Sequence, residues 1–298
     1  MRTRGRPSRR LPWLLAPLCA LPAAGCDVNK ALERLSEARH LAADLHVQFS
    51  RASDASSRAV MADTDEASVA FAREAVQAKE ALQKDSAALQ PILQTLGYSD
   101  EIRFLEQFDQ RFAAYRKLDD TILELAVENT NLKAQRLSFG PGQQEADAFR
   151  DALVAVPADG ANGWRARALA AGAVASVREI QALQAPHIAD LDDAVMTQIE
   201  KRIASAEASA RSALAGLGPL VPPGSRGGLA AASAALDRFM AVNAQVMALS
   251  RRNTNVRSLA LALTEKPKAT QACEETLRAL RDSLAKHGYT SSRYDTKG

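Results

Sequence analysis

The sequence predicts an all-α protein. Apolar residues recur at steps of three and four along most of the chain, and no run alternates apolar with polar residues. No Asn-Gly or Asp-Gly pair stands between two alternating segments, as a hairpin would require. A third observation is internal similarity at an offset of 124 residues, on a scale that suits a four-helix bundle better than a solenoid. The expected architecture is two consecutive antiparallel four-helix-bundle-like units, standing apart or packed as one elongated helical protein. They would occupy residues 26–156 and 164–287, with a linker at 157–163 and a polar tail at 288–298.

Each element has a local reason. The first helix places Val28, Leu32, Leu35, Ala42, Leu45 and Phe49 on one face. The second carries Phe71, Ala75, Ala78, Leu82, Leu89, Leu93 and Leu96 and stops at Gly97, a good C-terminal cap. Ser99 is expected to cap the third, whose first turn holds Asp100 and Glu101, as the helix dipole favours. Phe104, Phe108, Tyr115, Leu118, Ile122, Leu125 and Leu132 line that third helix, which should end at Gly140-Pro141-Gly142. A shorter fourth helix spans 143–156, and the turn-rich Pro157–Gly163 follows it.

In the 124-residue register, Asn129-Thr130-Asn131 lies over Asn253-Thr254-Asn255. Leu118, Ile122 and Leu132 meet Val242, Val246 and Val256, Tyr115 meets Phe239, and Leu153 meets Leu277. The second unit then has helices near 164–185, 187–218, 227–264 and 268–287. Cys273 falls on Phe149 and reads as a small core hydrophobe.

The amino terminus has a different character. Arg2, Arg4, Arg6, Arg9 and Arg10 precede an apolar stretch from Leu11 to Leu21 and the small residues before Cys26, the pattern of a cleavable signal peptide over 1–25. Its last residues resemble a bacterial lipobox, with Ala23 where that pattern prefers a larger aliphatic. The resemblance implies covalent lipid on Cys26. Ordinary secretion, cut at the same place, is the alternative, and it would leave a Cys26–Cys273 disulfide open. Several acyl chains hold a protein stably on a membrane where one does not. Asp27 resembles the signal that retains enterobacterial lipoproteins at the inner membrane, so the expected location is the cell envelope, facing the periplasm. Removing residues 1–25, which hold five arginines and no acid, takes the formal net charge from +3 to −2. No basic face suited to nucleic acid is implied.

The run Phe108-x3-Phe112-x2-Tyr115, Ile122-x2-Leu125, Asn129 to Ala134 and Leu137 before a Gly/Pro turn resembles the four-helix-bundle sensor domain of bacterial chemoreceptors. The resemblance covers roughly 66–156 and more faintly 163–287. The chain shows none of that family's flanking transmembrane helices, linker or signalling coiled coil. The resemblance implies an extracytoplasmic sensing or binding module.

Candidate chemistry is sparse. Asn129 and Asn253 continue apolar stripes, and a polar group on a bundle seam must find partners or cost about 1–3 kcal/mol. One reading is a register device. The other is a pocket for a small polar ligand built from Asn129, Lys133, Asn253 and Arg257. On an unbroken helix Asn131 and Asn255 would point about 200° away from that seam. His187 with Asp190, Asp192 and Asp193 reads better as an acidic helix start than as a metal site. No hydrolytic, haem or phosphate-loop motif is present, and neither a catalytic group nor a metal or cofactor beyond the lipid is expected. The expected role is a non-enzymatic envelope lipoprotein that binds another envelope protein.

Overall fold

The computed structural model describes residues 23–156 and 162–290, with side chains for 29–156 and 162–287. Residues 1–22 of the signal-like segment lie outside this range, as do the side chain of Cys26, residues 157–161 of the linker and residues 291–298. All regular structure among the described residues is helical, and no strand occurs.

Helices α1 (Ala23–Val60), α2 (Asp65–Leu96) and α3 (Ser99–Glu128) form the first group. The Thr64 hydroxyl caps α2 by accepting the Ala67 N–H at 3.1 Å, and Asp65 and Glu66 fill the first turn. Gly97 ends α2 in the left-handed conformation with φ 71°, as expected. Ser99 is not the cap of α3 but its first residue, preceded by Tyr98. Leu32, expected in the core stripe, is exposed.

The third helix does not run to the Gly/Pro turn. It breaks at Asn129, whose φ and ψ of 53° and 40° are left-handed. Asn tolerates this conformation better than any residue but Gly, because its short polar side chain can bond locally. Helix α4 (Thr130–Leu137) then passes through Ser138–Gly142 without stopping and into α5 (Gln143–Val154). The Gly140-Pro141-Gly142 breaker is a π-helical turn, in which a proline lacking its N–H is tolerated. A Cβ on Gly142 would crowd the Leu137 carbonyl at 3.1 Å, so the π turn itself favours glycine there, while Val242 at 3.7 Å would be in ordinary contact.

The second group repeats this plan. Helices α6 (Gly163–Ala189) and α7 (Asp193–Leu217) lead to α8 (Arg226–Arg252), which breaks at Asn253 with φ and ψ of 53° and 39°. Helix α9 (Thr254–Thr264) and α10 (Lys266–Thr290) follow, the last extending past the expected end at 287.

The packing corrects the expected division into 26–156 and 164–287. One core joins Leu45 and Phe49 of α1, Leu82 and Leu89 of α2, and Phe108 and Tyr115 of α3 to Cys273, Leu277, Leu280 and Leu284 of α10. The other joins Phe149 and Leu153 of α5 to Val177 and Ile180 of α6, Ile203 and Leu214 of α7, and Leu236 and Phe239 of α8. Each four-helix unit therefore takes its fourth helix from the opposite half of the sequence. Each half on its own is a helical hairpin plus one long kinked helix and cannot close a core. Fully burying one leucine or phenylalanine is worth about 1.5–3 kcal/mol, so lending four apolar side chains ties the halves firmly. Phe49 adds edge-on contacts with Phe108, Phe112 and Tyr115 at centroid distances of 6.3, 6.4 and 5.0 Å. Cys273 is a free, fully buried thiol whose pKa burial pushes up to about 12, as its place opposite Phe149 in the repeat suggested.

Candidate functional site

The two long kinked helices cross at their left-handed asparagines, and the crossing has a local two-fold symmetry in the 124-residue register. The Thr130 N–H donates to the Thr254 hydroxyl at 3.1 Å, and the Thr254 N–H donates to the Thr130 hydroxyl at 3.1 Å. One step outward, the Asn131 N–H donates to Asn255 Oδ1 and the Asn255 N–H to Asn131 Oδ1, each at 3.1 Å. Asn131 Nδ2 then reaches Asn253 Oδ1 at 2.6 Å, and Asn255 Nδ2 reaches Asn129 Oδ1 at 2.7 Å. The backbone donors freed by the two helix breaks are thus satisfied by side chains of the opposite helix at the crossing.

The symmetry fails at its margin. The C-terminal end of α6 covers one side, where Asn131 Nδ2 also donates to the Ile188 carbonyl at 2.6 Å and Asn253 Nδ2 donates to the Asp190 carbonyl. No such carbonyl meets Asn129, and its Nδ2 is buried without a hydrogen-bond partner. Of the four residues expected to hold a ligand, the structure brings Asn129 and Asn253 into one buried network. Lys133 is exposed, donating to the Glu128 carbonyl at 2.7 Å, and Arg257 is exposed without an ion pair among the described residues. Asn131 and Asn255 join the network although the extrapolated helix turned them away, because the left-handed residue re-aims everything after it.

A cleft of about 470 Å³ opens on the crossing. Asn131, Leu132 and Gln135 of α4 and Asn255, Val256 and Leu259 of α9 supply matching walls, and Phe139 of the π turn stands at its edge. Phe139 is 73% exposed and its repeat counterpart Leu263 is 69% exposed; Met61, between the lining residues Val60 and Ala62, is 72% exposed. Phe139 and Leu259, which line the cleft, thus face solvent beside asparagines that bond one another, and the exposed Leu263 lies one turn beyond Leu259.

Two buried polar clusters escaped the sequence reading. In the first unit Asp119 accepts from Lys79 Nζ at 2.7 Å and Ser56 at 2.5 Å, with Lys266 Nζ at 3.4 Å from its other side. Lys266 also donates to the Ser53 carbonyl at 3.0 Å, and burial holds its ammonium below the usual lysine range against the pull of Asp119. Asp119 shares a helical face with Tyr115 and Ile122, which was the available signal. In the second unit the equivalent position is Asn243, hydrogen-bonded to Gln184 at 2.9 Å, and Gln184 accepts from Ser138 at 2.6 Å. Nearby, His187 bonds Ser250 through Nδ1 and Glu200 through Nε2, the latter at 3.0 Å. Arg251 makes two hydrogen bonds to Glu200, at 2.7 and 2.8 Å, and these hold its carboxyl down at about 2. Ser, His and Glu follow one another as in a hydrolytic triad, yet Ser250 and His187 are wholly buried and neither lines the cleft. The chain of bonds ties α6, α7 and α8 together.

Comparison with known proteins returned no matching family model, no matching curated protein and no matching solved structure.

Proposed function

We propose that this chain is a non-enzymatic cell-envelope lipoprotein, held on a membrane through Cys26, whose helical body docks another envelope protein at the cleft on the crossing. The observation that carries this reading is the division of labour at the cleft. Asn131 and Asn255, which line it, spend their amides in holding the two halves together, while Phe139 and Leu259 beside them leave apolar surface to water. Such surface on a folded protein marks a contact site more often than it serves the fold. Binding rather than catalysis is supported by the same economy elsewhere, since the buried serine, histidine and lysines are each engaged by neighbouring helices.

Cross-linking in intact envelopes tests the docking. The wild type should capture a discrete partner that the Phe139→Asp/Leu263→Asp double variant loses, and an unchanged capture pattern would remove the cleft from the reading. Cys26→Ser should move the protein from the membrane to the soluble fraction; continued membrane fractionation would remove the anchor.

Asn129 supports a second reading, a sensor-like module for a small polar molecule, because its buried Nδ2 is the open donor of the crossing. A metabolite that raises the melting temperature of the wild type but not of Asn129→Ala would favour it.

A further inference from the structure

The end of the second unit furthest from the crossing is cationic and apolar at once. Residues 160–178 and 208–236 contain no aspartate or glutamate but include Arg165, Arg167, Arg178, Arg211 and Arg226. The fold brings these two segments together. A Cβ on Gly216 of α7 would touch Leu169 of α6 at 3.2 Å, and one on Gly228 of α8 would meet Val156, just beyond α5, at 3.4 Å. Arg178 pairs with Asp147 of α5, and Arg211 pairs with Asp237 of α8 and with Glu207 of its own helix. Arg165, Arg167 and Arg226 are exposed and make no ion pair among the described residues. The neighbouring acids Asp147 and Asp151 are taken by Arg150 and Arg178, and Asp159 lies outside the described residues.

Between α5 and α6 the same end opens a groove of about 700 Å³ walled by Leu153, Val154, Val156, Ala166, Ala170 and Val174. Arg167 also lines it, its wall residue Val154 is 78% exposed, and Trp164, two residues before the lining Ala166, is 69% exposed. An exposed tryptophan among unpaired guanidinium groups, next in the chain to the wall of an apolar groove, matches an interface with anionic headgroups outside and acyl chains beneath. The formal charge of residues 26–298 is −2, so attraction to an anionic surface must come from this end and not from the molecule as a whole. We infer that the end of the second unit formed by Trp164, Arg165, Arg167 and Arg226 docks on an anionic lipid surface.

The chain from residue 23 onward, carrying Cys26→Ser to exclude acylation, is suited to the test, because among the described residues no core position precedes Leu35 and Trp164 is its sole tryptophan. With vesicles of phosphatidylglycerol and phosphatidylcholine, Trp164 emission should shift to the blue and the protein should sediment, both reversed by salt. Vesicles of phosphatidylcholine alone should do neither. Replacing Arg165, Arg167 and Arg226 together by Ala should weaken binding about a hundredfold, at about fivefold for each charge. Arg73→Ala and Arg257→Ala, which remove unpaired cations elsewhere, should leave it unchanged. No response to phosphatidylglycerol, or binding indifferent to the triple variant, would overturn the inference. So would a chain that ignores vesicles and instead binds an acidic protein through the same arginines.

Discussion

Thr130 and Thr254 lie hydroxyl to hydroxyl across the crossing, 3.2 Å apart, and each hydroxyl accepts the other residue's backbone N–H. The pair is fully buried, so neither N–H has water to fall back on. Thr130→Val should cost about 1–3 kcal/mol by orphaning the Thr254 N–H. Adding Thr254→Val should cost less than a second such loss, since the partner hydroxyl has already gone. Chemical denaturation of the four species measures the coupling, and strictly additive losses would contradict a reciprocal pair.

The exchange of the fourth helix makes the covalent linker dispensable for assembly. Residues 23–156 and 163–290 made as separate chains should associate one to one and melt in a single transition. Residues 163–290 alone should not melt cooperatively as a monomer, because α5, with Phe149 and Leu153, is missing from their core. A monomeric, cooperatively melting 163–290 fragment would refute the exchanged packing.

Asp119 serves two buried ammonium groups, so its loss should be severe. Asp119→Asn leaves Lys79 with only the half-exposed Asp120 and Lys266 with neutral partners, for an expected cost of about 3–5 kcal/mol. Lys266→Met should be far milder, because Lys79 still pairs with Asp119. The folded pKa of Lys266 lies below its ordinary value of 10.5. Between those two values the unfolded chain binds more protons, so wild-type stability should climb with pH there relative to Lys266→Met. Parallel stability curves for the two proteins up to pH 10.5 would speak against this placement of Lys266.

Glu200 works in the opposite direction. Its folded pKa of about 2 lies under its ordinary 4.5, so its contribution is complete above 4.5 and disappears as the pH falls from there towards 2. The carboxylate is partly exposed, and screening limits the contribution to on the order of 1 kcal/mol. Glu200→Gln should flatten the acid limb of the stability profile across that window. An unaltered acid limb in guanidinium titrations would exclude the Arg251–Glu200–His187 chain as a stabilising link.

Much of this architecture was legible in the sequence, and the parts that were not share a cause. The apolar stripes of α2 and α3 and the cap at Gly97 follow from periodicity and from glycine's tolerance of positive φ. The breaks at Asn129 and Asn253 were hidden because a single left-handed residue leaves the spacing of the flanking apolar positions nearly intact. Gly140-Pro141-Gly142 looked like a stop, yet a π turn omits the bond proline cannot make. The exchange of helices was invisible for a subtler reason. Phe149 and Cys273 occupy the same repeat position, as do Leu153 and Leu277, so either helix fits either core by pattern alone. The candidate site was half visible: the Asn-Thr-Asn matches marked the place, but only the kink shows which asparagine meets which.

The first helix sets a mechanical condition on everything above it. It is already helical at Ala23 and runs to Val60 beside the cleft, so no slack chain separates Cys26 from the folded body. At 1.5 Å per residue, the stretch from residue 26 to residue 60 is a stiff mast of about 50 Å. A lipid at its foot would keep the cleft within about that distance of the bilayer, whether the helix stands away from the surface or lies along it with the cationic end of the second unit, so that reach as well as chemistry selects the envelope proteins it can meet.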